Sequence, residues 1–228
     1  MLAKKKKLSK KQIKEDKLVT TFYQAQSFYE QYQTKIIIGV AAVAVVVLAV
    51  LFYTSKVKEN NLAATTQLSR VLPLYNAGAY QESIDGRPGT NVVGLAEIAE
   101  NYGGTEQGEL ARVYLANAQY FLGNVDAALE NYEDYSGSNK DLVASALAGA
   151  AACYEAKDDF AKAAKNFYKA ANISKYNPQN AEYLLAAGIN YLKTNDKKTA
   201  KEVFEIIKND YKTTQTFSQV ERYLAQVN

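Results

Sequence analysis

Apolar residues recur with helical spacing along most of this chain, and one run has no polar side at all. Residues 36–53 read IIIGVAAVAVVVLAVLFY, which is 18 residues without a charged side chain. As a helix with a rise of about 1.5 Å per residue, this run is roughly 27 Å long, close to the hydrocarbon thickness of a bilayer. A surface helix of a soluble domain needs a polar side. The run therefore predicts a transmembrane helix over residues 36–54.

The segment before this run, residues 16–34, places apolar or aromatic side chains three or four positions apart, with glutamines mainly between them. That spacing predicts an amphipathic helix. Aromatic rings suit the membrane interface, where the rings pack against acyl chains and the polar tips stay in water. Whether this helix only anchors the chain or also docks on a membrane partner stays open. The residues predicted to form the membrane anchor are Phe22, Phe28, Tyr32, Ile36 and Tyr53.

Helical spacing of apolar residues continues after the span, from Leu62 to Tyr75, before the sequence Asn-Ala-Gly ends the helix. A faint repeat unit follows at residues 78–84. The glycines and the proline within residues 85–91 predict a loop. Residues 55–91 are therefore predicted to form a connecting helix, a degenerate repeat and a loop.

Three later stretches resemble one another. They begin at Gly123, Asp158 and Asn195, at spacings of 35 and 37 residues. Each has a polar turn, an alanine, and an aromatic residue four positions after it, and the alanines are Ala128, Ala163 and Ala200. An apolar-periodic helix precedes each turn, over residues 110–122, 143–156 and 181–193. A helix-turn-helix unit with a period near 34 residues is the signature of tetratricopeptide repeats, so the alanines are predicted to be helix-contact positions.

The predicted fold class is all-α, with an N-terminal transmembrane helix followed by a tetratricopeptide-type α-solenoid. The repeats occupy residues 92–228, and residues 217–227 form a terminal capping helix, which a stack of repeats needs for solubility. The first helices of successive units line the concave face, where partners usually bind. The predicted partner-binding residues on that face are Asn117, Tyr120, Glu155, Glu182 and Ile189. Tyr120 is either a partner anchor or a core residue that replaces the tyrosine missing at Gln119.

The charge of the chain is uneven. Residues 1–35, a basic and amphipathic segment, hold nine lysines and three carboxylates and carry +6, whereas the whole chain is +3 and the remainder therefore −3. Basic flanks stay in the cytoplasm. The chain is therefore predicted to cross a bacterial inner membrane once, with its N-terminus inside and residues from Thr54 onward in the periplasm. The lysines at residues 4–7 fit a nucleic-acid tail, a solvated tail or a lipid-facing patch, and the adjacent span favours the lipid-facing patch.

A cleaved signal peptide explains the apolar run less well than a retained anchor does. Thirty-five residues precede the run, and no Ala-x-Ala cleavage site follows it. A secretory signal has a shorter basic segment and a small-residue cleavage site. The only cysteine is Cys153, so no lipid-modified cysteine follows the run either.

The residue types argue against an enzyme. The chain has no histidine, and Cys153 lies on an alanine-rich helix face, which predicts a buried structural thiol rather than a reactive one. No carboxylate pair or metal-ligand spacing stands out. We therefore expect no cofactor, no metal, no nucleic acid and no small-molecule substrate. Thr105 is predicted to be a helix N-cap, and the Asp158-Asp159 pair is predicted to belong to a turn.

Together, the basic N-terminus, the aromatic helix before the membrane, the single span and the degenerate repeats resemble the ancillary subunit of the SecYEG translocon. The most specific run comprises residues 95–105 (LAEIAENYGGT), Leu110-Ala111 and residues 120–124 (YFLGN). It is similar to tetratricopeptide members of that family in Gram-negative bacteria. The resemblance implies a periplasmic domain that works beside the translocon, binds a membrane-anchored chaperone of the prolyl-isomerase-like type and helps to hand over emerging chains.

Two other functions fit the same architecture. One is a membrane-tethered scaffold for another envelope machine, such as outer-membrane biogenesis or Tol-Pal coordination. The other is a constitutive small subunit of a respiratory, photosynthetic or secretion complex. All three functions need protein partners and a lipid-embedded span.

Overall fold

A computed structural model describes residues 10–227, except for the side chains of residues 10–16 and 18. The lysine run at residues 4–7 lies outside the described residues. The chain divides between Ser55 and Lys56 into two compact units, each of which is described by itself below.

The first helix, α1 (Lys10–Asn76), is 67 residues long and unbroken. It contains the three helical segments that the sequence predicts before, within and after the apolar run, and it ends at the Asn-Ala-Gly sequence as expected. The described part of the chain has one helix, Val19–Asn76, that is long and apolar enough to cross a membrane by its length and composition. None of its most apolar 18-residue window is buried.

The second unit is all-helical except for one small hairpin. After the end of α1 its helices and strands are α2 (Tyr80–Asp85), β1 (Gly86–Arg87), β2 (Val92–Val93), α3 (Leu95–Asn101), α4 (Glu106–Phe121), α5 (Val125–Glu133), α6 (Lys140–Ala156), α7 (Phe160–Ala171), α8 (Asn180–Lys193), α9 (Lys197–Asp210) and α10 (Gln215–Val227). The helices predicted at residues 110–122, 143–156, 181–193 and 217–227 are thus confirmed as α4, α6, α8 and α10. Each of the helices from α3 to α10 packs against the next along the chain, and α10 also packs against α8.

The segment predicted as a loop at residues 85–91 contains part of an antiparallel hairpin, in which Gly86 pairs with Val93 and Arg87 with Val92. Gly86 has a φ of +78°, and a Cβ there would lie 2.5 Å from the Val92 carbonyl oxygen. Only glycine fits such a backbone. A pattern of turn-forming residues predicts the reversal of the chain, but the short pairing across it depends on this close approach.

In the part of the chain that the structure describes, four turns share one geometry. In each turn, the second residue after the end of the preceding helix (α1, α4, α6 or α8) has a φ between +60° and +81°, and these residues are Gly78, Gly123, Asp158 and Asn195. Its N–H donates to the carbonyl three residues earlier, and the next N–H donates to the carbonyl five residues earlier than itself, at 2.9–3.0 Å. This pair of bonds is the Schellman motif. The three repeat units and the faint unit at residue 78 therefore turn in the same way.

Side-chain N-caps lie at the start of α4, which precedes one of these turns, and of α7 and α9, which follow two of them. The Thr105 hydroxyl accepts a hydrogen bond from the Gly108 N–H at 3.0 Å, which confirms its predicted role as the N-cap of α4. Asp159 caps α7 through the Lys162 N–H, and Asp196, 37 residues later, caps α9 through the Thr199 N–H, both at 3.1 Å. The hydrogen bond from the Lys162 N–H lowers the pKa of Asp159, and hydrogen bonds from the Thr199 side chain and N–H lower the pKa of Asp196. The repeat is thus visible in the caps as well as in the turns.

The core of the second unit is built from small residues facing aromatic rings. Ala128, Ala163 and Ala200 are all fully buried, as predicted for helix-contact positions. At Gly188 a Cβ would lie 2.2 Å from the ring of Phe204, so the ring occupies the space that a side chain would need. Gly149 has the same relation to the ring of Tyr132, at 2.3 Å. Close packing of this kind makes the core sensitive to added volume.

Replacing Ala163 by Leu is expected to lower the free energy of unfolding by about 1–3 kcal/mol, because the larger side chain overpacks a fully buried contact. Ala161→Leu, two residues earlier on the exposed side of α7, is the matched control and should change stability by less than about 0.5 kcal/mol. Urea unfolding followed by circular dichroism measures both. Equal effects of the two substitutions would contradict the repeat register.

Candidate interaction surface

The five predicted partner-binding residues lie on three helices. Asn117 and Tyr120 belong to α4, Glu155 belongs to α6, and Glu182 and Ile189 belong to α8. Each of these helices is the first helix of a helix-turn-helix unit, because it precedes the turn at Gly123, Asp158 or Asn195. Glu182 is exposed, and the other four side chains are half-buried. Their contacts decide how much of each side chain is free for a partner.

Tyr120 packs inward. Its ring lies against the cluster of buried residues that includes Ala116, Ala128 and Tyr132. The repeat pattern expects a tyrosine at position 119, and the Gln119 side chain found there accepts a hydrogen bond from the Asn131 amide at 3.0 Å. Tyr120 therefore has the core contacts that the sequence left open as one alternative, and its binding role stays a prediction.

Asn117 and Glu155 are held by neighbouring helices. The Tyr132 hydroxyl donates a hydrogen bond to Asn117 Oδ1, and burial raises the pKa of Tyr132. Glu155 Oε1 lies 2.6 Å from the Lys193 ammonium, which also sits 4.5 Å above the ring of Phe160. Glu155 is thus a cross-link between α6 and α8 rather than a lone carboxylate. Glu182 and Ile189 are the predicted residues with no such link among the described contacts.

A row of aromatic rings leads from the interior to the surface beside Tyr120. Tyr114, Tyr75 and Tyr80 follow one another at centroid distances of 4.9 and 5.5 Å. Phe121 stacks on Tyr80 at 4.9 Å and is 59% exposed. The sequence analysis did not select Phe121, because helical periodicity places Tyr120 and Phe121 on adjacent faces and does not tell which one points outward. Exposed aromatic rings supply large contact areas in protein interfaces, so Phe121 belongs to the candidate surface.

A polar concavity of about 360 Å³ lies at the other end of α4, between the loops before α4 and before α6. The Glu109 carboxylate at its wall is only 2% exposed. It accepts hydrogen bonds from the Gly104 N–H at 3.2 Å and from the Ser136 N–H at 2.8 Å, and Arg112 Nε lies 3.8 Å away. Both oxygens are therefore engaged by backbone groups of two loops, so this carboxylate fixes the loops.

A second groove, of about 500 Å³, runs along α9 next to Tyr168 and Tyr191. Its walls include Glu202 and Glu205, and Ile206 lies between these groups. None of the five predicted residues lines this groove. Most of its lining residues belong to α9, the second helix of its unit, whereas the predicted residues lie on first helices.

Cys153 is fully buried in α6, as the sequence predicts. Burial raises the pKa of its thiol to about 11. The protonated form is therefore favoured in the folded state, and the contribution to stability is present below pH 9 and lost as the pH rises through about 11. Because the thiolate is the nucleophile, this cysteine is protected from alkylation at neutral pH.

Labelling of Cys153 by a maleimide at pH 7.5 is expected to be at least about a hundredfold slower in the folded protein than in 6 M guanidinium chloride, because the thiol is both buried and protonated. Mass spectrometry of timed samples measures the two rates. Rapid labelling of the native protein would show that α6 opens or that the thiol faces solvent.

No protein-family model matches the chain, and no curated protein matches it. The geometry of the helices and of the candidate surface therefore carries the functional interpretation.

Proposed function

We propose that the chain is a membrane-anchored protein-interaction scaffold of the tetratricopeptide type, accessory to the Sec translocon and to the chaperoning of exported proteins in the periplasm. The observation that carries the proposal is the repeated helix-turn-helix geometry, with the same left-handed residue and the same two hydrogen bonds at Gly78, Gly123, Asp158 and Asn195. Stacks of such units bind other proteins along their exposed helix faces. A scaffold needs such a surface and no reactive side chain.

The proposed location is the bacterial inner membrane, crossed once, with the N-terminus in the cytoplasm and the helical domain in the periplasm. The apolar segment of α1 supports the membrane anchor by its length and exposure. The net charge of +6 before the span and −3 after it supports the orientation. Both features are independent of the repeats.

Translocon subunits and a membrane-anchored periplasmic chaperone are the partners that the resemblance implies. The run that carries the resemblance, residues 95–105, forms α3 and the loop before α4. In this loop the Gly104 N–H donates to buried Glu109, and Thr105 caps α4. These contacts give residues 95–105 a structural role within the helical domain. The run therefore supports the resemblance in fold and does not identify a partner-binding surface. The partner surface itself is proposed on the exposed side of the first helices.

The proposed surface includes Glu182 and Ile189 of the original prediction, together with exposed Phe121. Phe121 offers an apolar anchor, and Glu182, which forms no ion pair among the described residues, offers a charge that sets partner specificity. Glu155 contributes less directly, because its ion pair with Lys193 holds α6 and α8 together. Replacing Glu155 by Lys would oppose two ammonium groups and disturb the domain.

Co-purification of the tagged full-length chain in a mild detergent tests this function. Recovery of translocon subunits with a periplasmic chaperone supports the proposal. Recovery of other envelope assembly factors, or of a single stoichiometric respiratory, photosynthetic or secretion complex, would replace it by one of the alternative functions.

The double variant Phe121→Ala, Glu182→Lys should reduce the recovery of partners at least tenfold, since it removes the exposed ring and reverses the free charge. Glu130→Lys, which reverses an exposed charge on the second helix α5, is the matched control and should keep full recovery. Circular dichroism shows whether both variants are folded. Unchanged recovery in a folded double variant would move the partner to another face.

A further inference from the structure

The groove along α9 is lined by helices alone. It has a volume of about 500 Å³, and its lining residues belong to α7, α8 and α9. Both α7 and α9 pack against α8. Because the backbone groups inside a helix are hydrogen-bonded to one another, such a groove contacts a partner mainly through side chains. An extended segment would leave its own backbone groups without partners here, whereas a helix satisfies them internally.

Part of the groove lining is apolar or aromatic. Tyr168 comes from α7 and Tyr191 from α8, and α9 contributes Val203 and Ile206. Tyr168 is 37% exposed, and Ile206 is half-buried. Within the part of the chain that the structure describes, neither tyrosine hydroxyl forms a hydrogen bond. These side chains therefore offer apolar contact area together with two polar groups that the fold does not use.

The rest of the charged lining is acidic. Glu202, Glu205 and Asp210 line the groove from α9, and all three side chains are exposed. Among the described residues, none of these carboxylates forms an ion pair or accepts a hydrogen bond. No lysine or arginine of the described chain lines the groove with them. The carboxylates therefore lack the internal partners that Glu109 has in the concavity beside α4.

Most lysines of α9 lie on another side of the helix. At about 100° per residue, Lys197, Lys201 and Lys208 share one side, roughly 120° from the mean direction of the three carboxylates. On that side, Lys208 forms an ion pair with Glu221 of α10 at 2.9 Å. Lys198, in the first turn of α9, is the exception. The helix thus separates its charges and directs its carboxylates to the groove.

We infer that this groove binds a basic amphipathic helix of a partner protein. The apolar side of the partner helix packs against Tyr168 and Ile206, and its lysines or arginines face the carboxylates of α9. Such a helix enters a groove through residues three and four positions apart. The lining residues from Thr199 to Asp210 span about 17 Å, which matches three turns of a helix. Carboxylates without counter-charges favour a cationic partner and disfavour an acidic one.

The charges on the two sides of the groove also orient the partner helix. Lys165 and Lys169 are exposed on α7, near Tyr168 in sequence. The basic residues of the partner must therefore face α9 rather than α7. Phe121 and Glu182 of the proposed partner surface do not line the groove. The groove is thus a second binding surface, and the inference does not rest on the translocon.

Binding of synthetic peptides to the full-length protein in a mild non-ionic detergent tests the inference. The probe is a fluorescent alanine-rich helix of about four turns, with leucines at three- and four-residue spacings and lysines along one flank. Fluorescence anisotropy should show saturable binding that weakens as salt is added, since exposed charges are screened. Peptides with glutamates in place of the lysines, or serines in place of the leucines, should bind at least about tenfold more weakly.

Charge reversal in the groove tests where the peptide binds. The double variant Glu202→Lys, Glu205→Lys should weaken binding of the basic peptide at least about tenfold, because it replaces attraction by repulsion. Glu97→Lys, Glu100→Lys is the matched control, since these exposed carboxylates of α3 have the same three-residue spacing and the same change in net charge. This control should stay within about twofold of the unmodified protein. Circular dichroism shows whether both variants are folded.

Removal of a groove ring tests the apolar contact. Tyr168→Ala should weaken binding at least about threefold, because the partner loses contact area on the α7 side of the groove. Tyr176→Ala is the matched control, since this ring is 82% exposed and lies outside the groove. It should leave binding unchanged.

Four outcomes separate this inference from its alternatives. Absence of peptide binding, or equal binding by the groove and control variants, would overturn it. A dimer in light scattering that Glu202→Lys, Glu205→Lys dissociates would assign the groove to a second copy of the chain and would overturn it too. Groove-dependent peptide binding without recovery of translocon subunits keeps this inference and contradicts the proposed function. Recovery of those subunits without peptide binding does the reverse.

Discussion

Replacing Phe204 by Ala is expected to lower the free energy of unfolding of the helical domain by about 3–5 kcal/mol. Phe204 is fully buried at the centre of the largest core cluster. Its ring fills the space over Gly188 and stacks on Tyr223 at 5.4 Å. Removing the ring leaves a cavity between α8 and α9, so the loss of stability combines the transfer free energy of the ring with the cost of the cavity.

Denaturant unfolding of the fragment from Lys56 onward measures this loss. Phe121→Ala is the matched control, because it makes the same chemical change at a ring that is 59% exposed, and it should cost about 1 kcal/mol or less. A free energy of unfolding of Phe204→Ala within about 1 kcal/mol of the unmodified fragment would show that the contact of this ring with Gly188 does not hold α8 and α9 together.

Replacing Glu109 by Ala is also expected to lower the free energy of unfolding, by about 3–5 kcal/mol. The substitution leaves the N–H groups of Gly104 and Ser136 without their acceptor, and it leaves the guanidinium of Arg112 without its counter-charge. The Arg112 side chain is only 20% exposed, and its Nε has no hydrogen-bond partner among the described residues. Arg112 keeps one hydrogen bond, from Nη1 to Asn131 Oδ1 at 3.4 Å, so the loss combines two unsatisfied backbone N–H groups with one broken, mostly buried ion pair.

Glu106→Ala, one turn earlier on the exposed side of α4, is the matched control and should change stability by less than about 0.5 kcal/mol. Amide hydrogen exchange adds a local readout. Protection of the loop at Gly104 and of the loop at Ser136 should fall together in Glu109→Ala, since one carboxylate holds both. Loss of protection at only one loop would show that the other is fixed independently.

The repeated part of the fold is predictable from the sequence because its causes are local. The turns need a residue that accepts a left-handed backbone, and Gly123, Asp158 and Asn195 are residue types that do so. Four positions separate each small residue from its aromatic residue, as in Ala200 and Phe204, which places both on one helix face. Helix bounds, caps and buried alanines follow from these spacings. The assignment of these units to the tetratricopeptide class remains a prediction.

The candidate site is less predictable because its contacts join residues that are far apart in sequence. Glu155 has its ion-pair partner 38 residues away, and Glu109 binds the Ser136 N–H 27 residues away. From the sequence alone, a carboxylate on a helix is predicted to be exposed to solvent, because its distant partner is not known. Tyr120 and Phe121 show the same limit, because adjacent aromatic residues at the edge of a helix face exchange roles with a small rotation of the helix.

The orientation of α1 decides whether the helical domain can serve exported proteins at all. Protease added to intact spheroplasts, with epitope tags at both ends of the chain, measures it directly. The charge distribution of +6 before the span and −3 after it predicts that the C-terminal tag is lost while the tag at the lysine-rich end survives. Loss of the N-terminal tag with survival of the C-terminal tag would place the domain in the cytoplasm and contradict a periplasmic scaffold beside the translocon.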